Sequence, residues 1–87
     1  LQVDVPDVED IIENISISIE EQPKHIKYHQ KFYEEPHSIA LYTADNTGKQ
    51  VFWRMTNITK EGFDLELLDK DDNIVAGKLI KAIVRGI

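Results

Sequence analysis

Residues 55–73, MTNITKEGFDLELLDKDDN, carry the clearest structural signal in the chain. Hydrophobic and polar residues alternate in the middle of this segment and place Phe63, Leu65 and Leu67 on one face. Alternation with a period of two is typical of a β-strand that is buried on one side. The flanking residues are rich in Asn, Asp, Thr and Gly, which favour turns. We therefore predict a core strand at 62–69 between two turns.

The same alternation recurs along the rest of the chain. Five further segments are predicted to be strands, namely 15–20, 25–32, 38–43, 51–56 and 74–87. In the second of them Ile26, Tyr28 and Phe32 should point inward, and in the last Gly77 should cause a bend or bulge. The segment 44–49, ADNTGK, is predicted to be a turn. Six short strands at a spacing of roughly ten residues indicate an all-β protein with an antiparallel six-stranded β-sandwich.

The first residues follow a different spacing. Apolar residues recur at intervals of three and four in a stripe that consists of Val5, Val8, Ile11, Ile12 and Ile15. This spacing predicts an amphipathic helix, with Asp7, Glu9 and Asp10 near the positive end of its dipole. So short a helix is unstable alone in water, and an acidic linker is the alternative. We interpret residues 1–14 as a helix or linker with a candidate trimerisation stripe, and residues 15–87 as the sandwich domain.

Charge and composition narrow the range of partners. The formal net charge is -6, and residues 1–23 contain seven acidic residues and no basic one, whereas residues 24–87 contain nine acidic and ten basic residues. Without a basic stripe to neutralise phosphates, no nucleic-acid partner is expected. No apolar run approaches the roughly 20 residues of a membrane span, so we expect no membrane insertion. The chain has no cysteine, which excludes disulfides and thiolate metal sites.

The sequence offers no constellation typical of an enzyme. His25 and His29 lie on one face of a predicted strand, but four residues of extended chain separate them by about 13 Å, too far for one metal ion. His37 belongs to a loop. The Asp and Asn residues at 69–73 lack the spacing of a calcium-binding EF-hand loop, and a turn stabilised by their side chains is the better interpretation. We therefore predict no enzyme activity, no catalytic residue, no metal ligand and no cofactor.

The corner before the core strand contains Asn57, Thr59 and Gly62. Residues 57–59 and 14–16 match the glycosylation pattern Asn-x-Ser/Thr, which also occurs often by chance. A structural interpretation accounts better for the first of them, because Asn57 and Thr59 side chains can hydrogen-bond local backbone in a turn. Gly62 should then supply a positive φ before the strand restarts. We expect this corner to be architectural.

Aromatic residues are the remaining candidates for binding. Trp53 beside Arg54, together with Tyr42 and Tyr33, could form a face that stacks on a sugar ring or contacts a protein partner. The alternative is that aromatic side chains fill the core of so small a protein. We take Trp53, Arg54, Tyr42 and Tyr33 as candidate ligand-binding residues.

Residues 26–87 resemble a known group of proteins. The segments IKYHQKFYEEPHSIALYT, TGKQVFWRMTNITKEGFDLELLDKDDNIVAG and AIVRG follow an order similar to the small β-sandwich domain near the C-terminus of phage tail host-specificity and tail-fibre proteins. The matching positions are Phe32, Pro36, Gly48, Asn57, Thr59, Gly62, Phe63, Asp72, Asn73, Arg85 and Gly86. A similar order occurs in H-type lectins, six-stranded sandwiches that form trimers or hexamers and bind sugars of the N-acetylgalactosamine type. In the last strand, Ala82 and Val84 stand where the family often has a Trp and a small residue.

This resemblance implies a non-enzymatic domain at the end of a phage or prophage tail fibre or tail-tip protein, located in the virion tail or outside the cell. Its expected partners are other copies of the chain, in a homotrimer, and a receptor or glycan on the bacterial surface. The resemblance assigns no sugar-binding residue. Two alternatives stay open: a domain that only caps or trimerises a fibre, and a secreted H-type lectin-like domain that binds sugars.

Overall fold

The computed structural model describes residues 6–43 and 51–87. The strands are β1 (Val8–Ile17), β2 (Lys24–Lys27), β3 (Ser38–Thr43), β4 (Phe52–Thr56), β5 (Gly62–Leu68) and β6 (Gly77–Gly86). A first sheet has the order β1-β6-β3 and a second sheet the order β2-β5-β4, and all neighbouring strands are antiparallel. The predicted all-β class, an antiparallel six-stranded β-sandwich, is confirmed. The described residues contain no helix, and so none that could cross a membrane. The turn predicted at 44–49 lies outside them.

One hydrophobic core joins the two sheets. Phe63, Leu65 and Leu67 of β5 are 0 to 1 % exposed, as their alternation predicts. The residues joined to them in the core are Ile12, Ile15, Ile17, Ile26, Tyr28, Phe32, Leu41, Ile80, Ala82 and Val84. Full burial of a large apolar side chain contributes about 1.5–3 kcal/mol. The central strand β5 therefore supplies a large share of the stability of this small domain.

The helix predicted near the N-terminus is wrong where the structure describes those residues, because β1 occupies them. Ile12 pairs with Ala82 and Ile15 with Ile80, so β1 advances three residues while β6 advances two. This irregularity is a β-bulge, and Asn14 within it has a φ of 57°. The interval of three between Ile12 and Ile15 reflects an extra strand residue and not a helical turn.

A second irregularity in the same pair of strands compensates for the first. Ile15 pairs with Ile80 and Ile17 with Gly77, so here β6 advances three residues while β1 advances two. Leu79, the residue with a φ of 56°, lies in this extra stretch. The two shifts keep Ile15, Ile17 and Ile80 on the buried face of the first sheet.

The boundary predicted between residues 14 and 15 does not separate two structural units, because strand β1 runs across it. Residues 8–14 belong to the first sheet. Ile12 and Ile15 of the candidate trimerisation stripe are buried in the core, so they offer no surface to another copy. Val5, also part of that stripe, lies outside the described residues.

Several strands begin or end at residues other than those predicted. The strand predicted at 25–32 ends at Lys27, and the strand predicted at 74–87 begins at Gly77. The predicted strand at 15–20 is the C-terminal part of β1, and Ile19 beyond it is exposed. In contrast, β3 has the predicted limits.

The role predicted for Gly62 also changes. The left-handed residue of the corner is Asn57, with a φ of 50°, and Gly62 does not have a positive φ. A Cβ atom at Gly62 would collide with the carbonyl oxygen of Ile26 and lie 2.9 Å from Nε2 of His25. Glycine is therefore required here because β2 and β5 approach each other closely.

Candidate binding site

Residues 28–33, which we call the end segment, follow β2 and lead toward β3. They form the main candidate site. Their backbone joins neither sheet. The N–H group of Tyr28 donates to the carbonyl oxygen of Glu61 over 3.2 Å, and that of Phe32 donates to the carbonyl oxygen of Lys60 over 3.3 Å. These bonds tie the end segment to the turn that precedes β5.

Two aromatic side chains fasten the end segment to the core. The rings of Tyr28 and Phe32 form an edge-to-face contact with centroids 5.1 Å apart, and the ring of Tyr28 lies 6.1 Å from that of Phe63. The hydroxyl of Tyr28 donates to the carbonyl oxygen of Thr59 over 3.0 Å. Burial, followed by the negative charges of Glu35 and Asp10, raises the pKa of Tyr28 to about 12.

A buried carboxylate holds the middle of the end segment. Asp10 of β1 is 4 % exposed, and its Oδ2 accepts a 2.8 Å hydrogen bond from the N–H group of His29. Its Oδ1 lies 3.3 Å from Nδ1 of His29. A buried charge needs such partners, because burying it unpaired is costly. The sequence-based interpretation of Asp10 as a helix-dipole residue missed this contact, although Val8, Asp10 and Ile12 alternate like strand residues.

Two adjoining cavities open along the end segment, and we call them together the end cleft. One has a volume of about 340 Å³ and is lined by Lys27, Tyr28, His29, Gln30, Lys31 and Glu61. The other has a volume of about 490 Å³ and is lined by Lys31, Phe32, Tyr33 and Lys60. Lys31 borders both cavities. Such volumes lie within the range typical of ligand pockets, about 300–1,000 Å³.

The cleft presents one aromatic side chain to solvent. Tyr33 is 80 % exposed, whereas its neighbour Phe32 is buried and forms the inner wall. The N–H group of Tyr33 donates to the carbonyl oxygen of Ile87 over 2.8 Å, which fixes the backbone that carries the ring. An exposed ring on a fixed backbone can stack on a flat apolar face, such as that of a sugar ring.

The charge of the cleft lining differs from that of the whole chain. Three lysines line it, Lys27, Lys31 and Lys60, and none of them forms an ion pair with a described residue. By contrast, the cations that are paired elsewhere are Lys24, Arg54, Lys81 and Arg85. Glu61 is the acidic residue of the lining. Sequence analysis did not single out these lysines, since turn geometry and not strand periodicity brings them together.

The structure does not bring the four predicted binding residues together. Trp53 is partly buried against the core, whereas Arg54 lies on the outer face of the second sheet and pairs with Glu66 at 3.3 Å. Tyr42 is 54 % exposed on β3, in the first sheet. Of the four, Tyr33 lines the end cleft.

The corner before β5 and the turn after it both have structural roles. The Thr59 hydroxyl oxygen accepts hydrogen bonds from the N–H groups of Glu61 and Gly62, as predicted. The Asn57 side chain differs from the prediction and donates to Asp64 Oδ2 over 2.8 Å. In the following turn, the carboxylate of Asp69 accepts hydrogen bonds from two backbone N–H groups, and these bonds lower its pKa. This confirms the predicted turn stabilised by Asp and Asn side chains.

Each histidine lies beside a different aspartate. Nδ1 of His25 is 2.9 Å from Oδ1 of Asp64, and Nε2 of His37 is 3.4 Å from Oδ1 of Asp7. The described residues contain no group of three or more His, Asp or Glu side chains that could hold a metal ion. Each of the three histidines therefore pairs with one aspartate, and the three pairs lie at separate positions.

Comparison with known proteins gives no relative. No protein-family model, no curated protein and no solved structure matches this chain. The resemblance to tail-fibre and H-type lectin domains stays a prediction.

Proposed function

We propose that this chain is a non-enzymatic binding module that attaches to a bacterial surface through the end cleft, as the C-terminal domain of a phage or prophage tail fibre or tail-tip protein. The observation that carries the proposal is the exposed ring of Tyr33 beside two shallow cavities. The backbone N–H group of Tyr33 donates to the carbonyl oxygen of Ile87, and the N–H groups of Tyr28 and Phe32 tie the rest of the end segment to the corner before β5. A ring on a backbone that is already held loses less conformational entropy on binding than a ring on a free loop. The order of sequence features that resembles tail-fibre domains agrees with this role.

A second role, self-association as a homotrimer or fibre cap, is favoured by the outer face of the first sheet. Ile11 pairs with Ile83, which pairs with Ala40 on the other side, so an apolar row crosses all three strands. Ile11 and Tyr42 are exposed on this face. Sedimentation or mass measurement should give three copies, and Ile11→Glu should reduce the oligomer to single chains. A protein that is monomeric at all concentrations would contradict this second role.

Attachment is tested by binding of the labelled protein to a panel of bacterial cells. We expect Tyr33→Ala to reduce cell binding at least about fivefold, because stacking of an aromatic ring contributes on the order of 1 kcal/mol beyond area burial. Phe52→Ala is the matched control, since Phe52 is also an exposed aromatic residue but lies on β4, away from the end cleft and from the face proposed for self-association. Binding to no cell type, or equal binding by the Tyr33→Ala variant and the natural protein, would overturn the proposal.

A further inference from the structure

We infer that the end cleft binds a glycan that carries isolated carboxylate groups, with a sugar ring on Tyr33 and its carboxylate between Lys31 and Lys60. This inference rests on the proposed attachment through the cleft and adds the chemical class of the ligand. Both lysines line the 490 Å³ cavity together with Tyr33. The cavity thus combines an aromatic face and two cations, the groups that a sugar with a carboxylate requires.

The positions of the two lysines follow from backbone contacts. Lys31 directly precedes Phe32, whose N–H group donates to the carbonyl oxygen of Lys60. The two lysines therefore project from adjacent stretches of chain, and neither has an ion-pair partner among the described residues. Two positive charges that line one cavity repel each other, and an anion bound in that cavity is attracted to both. The lining of this cavity contains no acidic side chain.

The neighbouring cavity limits the density of negative charge in the ligand. Glu61 lines it together with Lys27 and His29. A carboxylate at this place accepts hydrogen bonds from sugar hydroxyls but repels a second anionic group. The cleft therefore suits a polymer in which uncharged hydroxyl-rich stretches separate the carboxylates. A densely sulfated chain would place an anion against Glu61.

The direct test measures binding of the full chain to an oligosaccharide of galacturonic acid units joined to neutral sugars, by calorimetry and by backbone amide NMR shifts. We expect the shifts to concentrate at residues 27–33 and 59–62. The same oligosaccharide with its carboxylates reduced to alcohols should bind at least about fivefold more weakly, and added salt should weaken the acidic ligand only. Heparin should compete poorly.

Matched variants identify the cations. Lys31→Gln and Lys60→Gln should each lower affinity for the acidic oligosaccharide about two- to fivefold, the range expected for exposed ion pairs. Lys70→Gln makes the same charge change in the β5–β6 turn and should have no effect. Both cleft variants keep the backbone groups that hold the end segment, so thermal unfolding should be unchanged.

The outcomes separate this inference from the proposed function. If Tyr33-dependent cell binding persists while the carboxylate-reduced oligosaccharide binds equally well and both lysine variants behave like the natural protein, the carboxylate inference is wrong and attachment stands. If the acidic oligosaccharide binds with the expected lysine dependence but no bacterial cell is bound, the attachment role is wrong and the ligand class stands. Tight binding of heparin at the same residues would overturn the limit set by Glu61.

Discussion

Strand β5 and the end segment both bury hydrophobic side chains but have different backbones. The buried residues Phe63, Leu65 and Leu67 of β5 alternate along the strand, whereas Tyr28 and Phe32 lie four residues apart with Gln30 exposed between them. In β5 the buried residues Phe63 and Leu65 belong to a strand that is paired on both sides, with β2 and β4. In the end segment Tyr28 and Phe32 are also buried, yet their N–H groups bond to a turn and not to a neighbouring strand. A hydrophobic residue in such a segment thus indicates that its own side chain is buried, and it does not indicate what the backbone pairs with.

This difference determines what each region can do. A strand with neighbours on both sides has no free backbone and little open surface, so β5 contributes mainly to stability. The end segment has cavities on its outer side and an exposed Tyr33. Substitutions in β5 should therefore act through lost burial, whereas substitutions around the end segment should act through single hydrogen bonds.

The largest effect is expected in β5. Phe63→Ala should lower the free energy of unfolding by about 3–5 kcal/mol, because it removes a fully buried aromatic ring and leaves a cavity. Urea unfolding followed by tryptophan fluorescence measures this, and Tyr33→Ala is the control, with an expected change within about 0.5 kcal/mol. If Phe63→Ala and Tyr33→Ala unfolded at similar urea concentrations, the assignment of β5 to the core would be wrong.

A smaller loss is expected at the anchor of the end segment. Asp10→Ala removes the acceptor for the N–H group of His29 and should cost about 1–3 kcal/mol, the penalty for a buried polar group left without a partner. It should also speed hydrogen exchange of amides in residues 28–33. Asp7→Ala is the control, because Asp7 also lies beside a histidine but is exposed. Equal effects of the two substitutions would show that burial of Asp10 is unimportant.

The hydroxyl of Tyr28 should contribute less. Tyr28→Phe removes one hydrogen bond to Thr59 and should cost about 1 kcal/mol at neutral pH. The pKa of Tyr28 is raised in the folded protein, to about 12, so the folded state holds this proton more tightly than the unfolded state. Its contribution is complete below about pH 10 and is lost as the pH rises toward 12.

The free energy of unfolding, measured between pH 9 and pH 12, tests whether the folded state loses stability as the Tyr28 hydroxyl ionises. The natural protein should lose stability more steeply than Tyr28→Phe over that range. Tyr33→Phe should keep the steep profile, since Tyr33 is exposed. A Tyr28→Phe profile parallel to that of the natural protein would contradict the burial of this hydroxyl.

The sequence predicted the sandwich because its core follows a simple alternation, as in Phe63, Leu65 and Leu67. It failed at Ile12 and Ile15, where a bulge produces the interval of three that is also typical of a helix. It named Tyr33, which lines the end cleft, as a candidate binding residue but did not name Lys31 or Lys60, because their proximity depends on backbone bonds between distant turns. Local patterns carry no information about such contacts.

The smallest effect is expected on the outer face of β5. A hydrogen bond from the Asn57 side chain, followed by one from His25, lowers the pKa of Asp64 in the folded protein. The ionised carboxylate therefore stabilises the folded state above its ordinary pKa, near about 4, and this contribution is lost as the pH falls through the lowered value. Asp64→Asn should flatten the loss of stability that occurs as the pH falls below about 4. Asp71→Asn, in the next turn, should flatten it less, because no described side chain donates to Asp71. Identical acid profiles for these two variants would mean that the hydrogen bonds at Asp64 do not persist in solution, and the outer face of β5 would then be no more ordered than an exposed turn.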